Sequence, residues 1–280
     1  MNNPGGSKVN PNRPADSDVL EAKFSPLTLL NHGLPPWICF TAGYRTRFEG
    51  YSGANFLPGA SANYLLTRFR FGMYLKPLPW LRVFTETQDS DAFWKPPPLA
   101  PPYQETWDLR RAYLDVGNLQ EGRFGIRAGR QDLNFGDGLL IGTSYWRNAS
   151  RGYDAVEAGT NWSWINATVF AASPVNLLDN GLSHHQAGNN LYGLDAKLNR
   201  LVRKGTVEPF LFWRVTPRLT TEEGHPGNLN EFTLGARAAG TIREHWDYDT
   251  EGARQFGTLG SDRIRAGAWM GLAGYTIAAL

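Results

Sequence analysis

The 280-residue chain sets 28 Lys and Arg against 26 Asp and Glu, a formal charge of +2, so it lacks the uniform positive field of a nucleic-acid-binding polycation. Hydrophobic residues make up 41% with 31 Gly and 18 Pro, and ten Trp and eleven Tyr are rings of the kind that collect at membrane interfaces. The single cysteine, Cys39, excludes an internal disulfide, and no run of about 18 apolar residues offers a helical span; neither observation excludes crossing by strands.

Residues 1–36 begin "MNNPGGSKVNPNRPADSDVL", a polar leader expected to be disordered. It lacks the basic, apolar and small-residue regions of a secretory signal, so either a signal has been removed or the start is internal. From residue 37 onward the dominant signal is period two, in segments of about ten residues separated by turn-rich stretches.

In the first segment Ile38, Phe40, Ala42, Tyr44 and Phe48 oppose Thr41, Gly43, Arg45, Arg47 and Glu49. The second sets Leu65, Thr67, Phe69, Phe71, Met73 and Leu75 against Arg68, Arg70, Gly72, Tyr74 and Lys76, and the third Leu81 and Val83 against Arg82, Glu86 and Gln88. Ala112, Leu114 and Val116 then face away from Arg111, Tyr113 and Asp115. Phe124, Ile126 and Ala128 face away from Arg123, Gly125, Arg127 and Gly129. After "YDAVEAGT" come Ile165/Ala167/Val169/Ala171, Tyr192/Leu194/Ala196/Leu198 against Asp195/Lys197, and Val207/Leu211/Trp213/Val215 against Glu208/Arg214. Phe232/Leu234/Ala236/Ala238 oppose Arg237, "WDYDTE" carries Asp247, Asp249 and Glu251 on one parity, and Ile264/Ala266/Ala268/Met270/Leu272 oppose Arg263 and Arg265.

These are about twelve segments, each near the length of a tilted membrane strand. A soluble sheet with one wet face would also alternate. The discriminator is the other face, where Arg and acids mix with Gly and Tyr in nearly every segment, as in a barrel lumen. Connections alternate in length: 76–79, 118–122 and 199–205 are short, whereas "DSDAFWKPPPLAPPYQETW", "DLNFGDGLLIGTSYWRNASRGY", "SPVNLLDNGLSHHQAGNN" and "TPRLTTEEGHPGNLN" are long. The expectation is an all-β, antiparallel transmembrane β-barrel over residues 37–280 with no second domain.

The glycine-rich stretch "GRQDLNFGDGLLIG" does not cradle a nucleotide, because its glycines miss the G-x-G-x-x-G spacing and no Lys-Ser/Thr follows. It is instead the end of a strand running into a long loop. Asp137, between two glycines, is more often a turn former than a metal ligand. His184 and His185 have no carboxylate at ligand spacing, so no metal site and no cofactor is expected. The N-x-S/T triplets at Asn148, Asn161 and Asn166 imply no glycosylation.

Gly129, Arg130 and Gln131 at a strand end, Gly136, Asp137 and Gly138 in a turn, Leu140, Ile141 and Gly142, Trp146, and then Arg151, Tyr153, Asp154 and Ala155 opening the next strand together resemble the motif of the alginate export family of outer-membrane barrels. "LRRAYLD" and "WDYDTEGARQFG" support the resemblance, which covers roughly residues 37–280. It implies an eighteen-stranded, monomeric barrel in the bacterial outer membrane that passes an anionic polysaccharide such as alginate to the exterior, in contact with outer-membrane lipid and served by periplasmic export proteins, with no nucleic-acid partner. About twelve of those strands are recognisable, and the ending "GYTIAAL" lacks a barrel's terminal aromatic, so the sequence reads as a fragment.

A polyuronate carries a carboxylate on each sugar, and a guanidinium forks onto a carboxylate while staying charged at any working pH. The expected polyanion path is therefore Arg45, Arg47, Arg68, Arg70, Arg82, Arg111 and Arg127, concentrated early in the chain. Arg130 falls on the apolar parity, so either a bulge turns it inward to join this path or it lies beyond the membrane level, and the bulge is favoured. Competing readings are structural pairing of these arginines with acids, an anion-selective porin for small solutes, a soluble carbohydrate-active enzyme using the Asp247/Asp249/Glu251 face, and a sugar-binding β-sandwich. The channel reading has no catalytic residue.

Overall fold

Strand alternation becomes architecture through pairing. The computed structural model describes residues 26–53, 56–99, 101–179, 181–221, 223–242 and 245–277, so most of the 1–36 leader lies outside the described residues. A seven-residue helix, α1 (Pro26–His32), precedes the strands, and the Asn31 carboxamide ties it to the backbone N–H and C=O of Phe40, both at 2.8 Å.

Among the described residues thirteen strands follow: β1 (Ile38–Tyr51), β2 (Ala62–Leu78), β3 (Leu81–Phe93), β4 (Glu105–Val116), β5 (Phe124–Gln131), β6 (Tyr153–Asn161), β7 (Ile165–Asn176), β8 (His184–His185), β9 (Asn190–Val202), β10 (Gly205–Thr220), β11 (Pro226–Ile242), β12 (Trp246–Leu259) and β13 (Asp262–Tyr275). They form an antiparallel sheet in chain order with β1 and β13 at its ends, and only the two-residue β8 stands off the path, paired with β7. The twelve strands of the path are the twelve alternating segments. Two compact units divide the chain, one of residues 1–114, 145–150 and 177–183, the other of residues 115–144, 151–176 and 184–280.

In the first unit the polar parity is the buried one. Arg68, Arg70, Glu86, Gln88 and Ser90 are all less than 10% exposed, while Phe71 and Tyr44 on the opposite parity are 40% and 69% exposed. Register enforces this, because Arg45 lies opposite Arg68, Gly43 opposite Arg70 and Arg70 opposite Gln88, and residues directly opposite in a ladder share a face. The alternation slips by one residue in β4, where Arg110 and Arg111 are both buried.

The second unit repeats the inversion. Glu157, Asp195, Glu208 and Glu251 are buried, and Val156, Leu194, Leu211 and Leu234 are exposed. On the exposed face Tyr192, Trp213, Phe232 and Phe256 stand opposite one another in register across β9 to β12, with ring centroids 5.0, 5.6 and 5.7 Å apart. Beyond this row the same face turns polar, at Asn230, Thr258 and Arg263. Trp246 and Tyr275 make a second aromatic contact, 4.9 Å between centroids, at the other end of β12. Phe256 follows Trp246 by ten positions, about 33 Å along an extended strand and about 25 Å across a membrane at a tilt of about 40°, the height of an outer-membrane apolar band. Arg254, beside Phe256, and Arg265, opposite it, lie close enough to the row to reach the interface with long stems.

Two expectations change. In β13 the alternation is present but its phase is the reverse of that expected: Ala266, Met270 and Leu272 lie opposite Gln255, Glu251 and Asp249, and Arg265 lies opposite Phe256. Register against the neighbour, not composition, chooses the face. The stretch "TPRLTTEEGHPGNLN" is mostly strand, because β10 and β11 continue through a register shift between Thr216 and Leu219 that accommodates Pro217 at an irregular position; residues 221–225 alone connect them.

If the aromatic rows bracket a bilayer, Ala236→Arg, four positions inside the row, costs about 2–4 kcal/mol and Thr258→Arg, outside it, about 0–1 kcal/mol. Equilibrium unfolding in lipid vesicles measures both, and equal costs would contradict the depth assignment.

Candidate functional site

A guanidinium drawn out of water needs acceptors, and in the first unit four arginines, two buried and two half-buried, converge on the segment 145–150. Arg45 donates to the carbonyls of Tyr145 (2.8 Å) and Arg147 (2.9 Å). Arg68 donates to the same two, at 3.1 and 3.2 Å, and Arg70 donates to Ser150 Oγ at 2.6 Å. Arg47 donates to the Trp146 carbonyl, lies 4.1 Å over the Trp146 ring and pairs with Glu49 at 2.6 Å. Asn148 completes the seat, its amide donating to the carbonyls of Thr67, Asp91 and Tyr103 at 2.9 Å each. The early arginines Arg45, Arg47, Arg68 and Arg70 are thus brought together, and they hold a loop.

Arg111 is the exception in this unit. It forks onto Glu86 at 3.0 and 2.9 Å and covers the Phe84 ring at 4.8 Å. Arg82 sits apart near the start of β3 on the same parity. Arg110 was not anticipated, since strict alternation puts it on the opposite face from Arg111.

In the second unit Arg127 bonds Asp115 at 3.2 and 2.8 Å. Arg130 corrects an expectation: the β5–β6 register runs through Arg130 opposite Asp154 without a shift, so no bulge turns it onto the polar face. It stays on the parity of Ile126 and Ala128, and its charge is met by Asp154 at 2.8 and 3.2 Å. Gln131, next in the chain, is the buried polar residue and donates to the Ala155 carbonyl at 3.2 Å.

The loop after β5 folds onto the polar face. Phe135 stacks on Phe170 with centroids 4.6 Å apart and meets Phe212 at 5.8 Å. Leu133 and Ile141 are buried in a core with Tyr153, Ala155, Phe170, Ala172, Phe210 and Phe212. These phenylalanines occupy the parity of charged residues, a signal in the sequence that a loop covers that face.

Gly136 and Gly138 take φ of +57° and +73°, conformations open to glycine. A Cβ on Gly136 would stand 3.2 Å from Glu251 Oε2. Its N–H donates to Glu208 Oε1 at 3.0 Å. Asp137 Oδ1 is 2.6 Å from Arg237 Nη2, and Arg237 also holds Asp249, Nε to Oδ1 at 2.9 Å, with Glu208 at 3.6 Å. Desolvation, with a hydrogen bond to Asp249, holds the Asp137 carboxyl above its ordinary value. That raised value makes the carboxyl's contribution to the docked state largest at low pH and lost as pH rises through it. Of the acids on this face of β12, Asp249 is bonded to Arg237 and Glu251 is buried beside Gly136.

A cavity of about 360 Å³ opens beside this loop, lined by Leu140, Ile141, Arg151, Tyr153, Gln186, Arg214, Gln255 and neighbours. His184 and His185 are exposed and pair with Asn176 and Val175. Among the described residues no group of three His, Cys, Asp or Glu is placed to hold a metal ion.

An antiparallel sheet with aromatic rows on its apolar face and folded loops on its polar face is a transmembrane β-channel. Residues 36–280 match the family described as Alginate export, and the chain belongs to it, a family of outer-membrane channels for polysaccharide export. No curated protein matches the chain.

Replacing Arg237 by Gln removes the cation that joins Asp137 to Asp249. With Asp137 40% exposed, the local cost is about 1–2 kcal/mol, and proteolysis within 132–144 rises by roughly 5- to 30-fold. Unchanged cleavage would show that the aromatic contacts alone hold the loop.

Proposed function

We propose that the channel passes an anionic polysaccharide, alginate or a polymer like it, along the arginine-bearing face of its sheet toward the cell exterior, as a monomer fed by periplasmic export proteins. The observation that carries this reading is the burial of Arg68, Arg70, Arg111 and Arg127 on the polar parity, the inward side of a sheet whose other face is apolar. Arg45, Arg47 and Arg82 share that parity. Basic side chains from several strands focus the field in a low-dielectric enclosure, which raises the local concentration of a polyanion without gripping any one unit.

The eight arginines do not contribute equally. Arg111 and Arg127 are paired with Glu86 and Asp115, so their positions are chiefly structural. Arg130, paired on the opposite parity, leaves the proposed path. Arg45, Arg47, Arg68 and Arg70 lie together, their positions fixed by neutral oxygens of the segment 145–150, and Arg47 also pairs with Glu49. The path therefore runs past this cluster. The alternating short and long connections support short turns on the periplasmic side and long loops outside.

Single-channel recording in planar bilayers tests the reading. Anions should permeate in preference to cations at about 0.1 M salt, and the preference should shrink at about 1 M as the screening length falls from about 10 to 3 Å. Oligouronates should reduce the current and neutral oligosaccharides of equal length should not. Cation preference, or indifference to oligouronates, would contradict a polyanion path.

A further inference from the structure

Most arginines on the polar face are committed to protein partners, but Arg151 and Arg214 are not. Arg151 and Arg214 both line the cavity of about 360 Å³ in the second unit, and among the described residues neither guanidinium makes an ion pair or hydrogen bond. Arg214 lies directly opposite Glu231 in the β10–β11 register, where a cross-strand pair is the ordinary outcome. Glu231 Oε1 instead accepts from Gln255 Nε2 at 3.3 Å. Two guanidiniums against one carboxylate leave the cavity net positive.

The remaining walls suit a sugar. Gln186 accepts from Asn189 at 2.6 Å through Oε1, which leaves its amide N–H groups for a ligand. Gln255 keeps its carbonyl oxygen as an acceptor, since its bonds to Glu231 and Thr233 both run from Nε2. Leu140, Ile141 and Phe212 supply apolar surface against which a pyranose ring can lie. The volume is at the small end of ligand pockets, enough for about one or two sugar units.

A second observation comes from the motif. Gly136 and Asp137 dock the loop on Glu208 and Arg237, and the residues that follow in the same motif, Leu140, Ile141, Arg151 and Tyr153, all line this cavity. The docked turn therefore builds one wall of it.

We infer that this cavity is a binding site for an acidic sugar unit, with Arg151 and Arg214 forking onto its carboxylate and Gln186 and Gln255 meeting ring hydroxyls. The inference rests on the polyanion reading above and adds to it a discrete stop on the path. The same chemistry is offered by a unit within a long chain and by a free uronate or chain end.

Calorimetric titration of the whole, detergent-solubilised protein tests this. The trimer prepared from alginate should bind saturably at one site, and maltotriose, of similar size but uncharged, should not. Arg151→Gln and Arg214→Gln should each weaken binding about tenfold or more, as expected for loss of a charged hydrogen-bond donor. Arg263→Gln, outside the cavity, should leave it unchanged, and circular dichroism checks that each variant is folded. Competition by long alginate of low chain-end content would assign the site to chain interiors, and competition only by monomeric uronate or short oligomers to ends or free sugars. Equal binding by wild type and by both variants, or binding of maltotriose equal to that of the alginate trimer, would overturn the proposal. Absence of saturable binding in a channel that still selects anions and is blocked by oligouronates would remove this site while leaving the polyanion reading intact; failure of both measurements would remove the reading itself.

Discussion

Burying arginine is costly, because a guanidinium removed from water must be met by acceptors in nearly ideal geometry. In this sheet the buried side of both units is the charged side. The structure is consequently organised by how each guanidinium is satisfied: Arg111 by Glu86, Arg127 by Asp115, Arg237 by Asp249 and Asp137, and the Arg45, Arg47, Arg68 and Arg70 group by the segment 145–150. The exposed side holds the hydrocarbon, and its aromatic rows set the level at which hydrocarbon gives way to water. An apolar solvent outside and a polar interior are two consequences of one inversion.

That organisation explains why long loops fold back onto the sheet. Carbonyl oxygens of a loop are acceptors carrying no net charge, so arginines held by them retain a positive potential, whereas each carboxylate partner cancels one charge. Channel proteins need both kinds of bond, the first for the field and the second for stability. The turn around Gly136 and Asp137 uses a third arrangement, in which one arginine, Arg237, is shared by acids from the loop and from the strands. The loop so held is also the wall of the only cavity lined by Arg151 and Arg214 among the described residues.

Much of this was legible in the sequence. A period of two and about ten residues per segment identify the strands because the pleat alternates side chains whatever the fold, and the two glycines of the turn mark backbone conformations that few other residues adopt. Register and pairing are another matter. The face presented by β13 depends on which residue of β12 stands opposite Met270, the inward position of Arg110 on a local slip in β4, and the outward position of Arg130 on unbroken pairing with Asp154. None of these is a property of one strand. The early arginines were recognisable as a cluster, but their seat on Tyr145 and Arg147 joins segments about a hundred residues apart in sequence, beyond the reach of local patterning. Phe210 and Phe212, on the charged parity of β10, could have disclosed the cover that Phe135 provides.

The central claim is that the charged parity faces inward and the apolar parity faces lipid. A nitroxide scan along β11, in protein with Cys39 replaced by Ser and reconstituted into vesicles, measures it most directly. Collision with oxygen, which concentrates in hydrocarbon, should be high at positions 232, 234, 236 and 238 and low at 233 and 237. On β13 the high positions should be 265, 267 and 269, in the phase set by pairing with β12. Uniform accessibility along β11, or high oxygen collision at 233 and 237, would contradict the account.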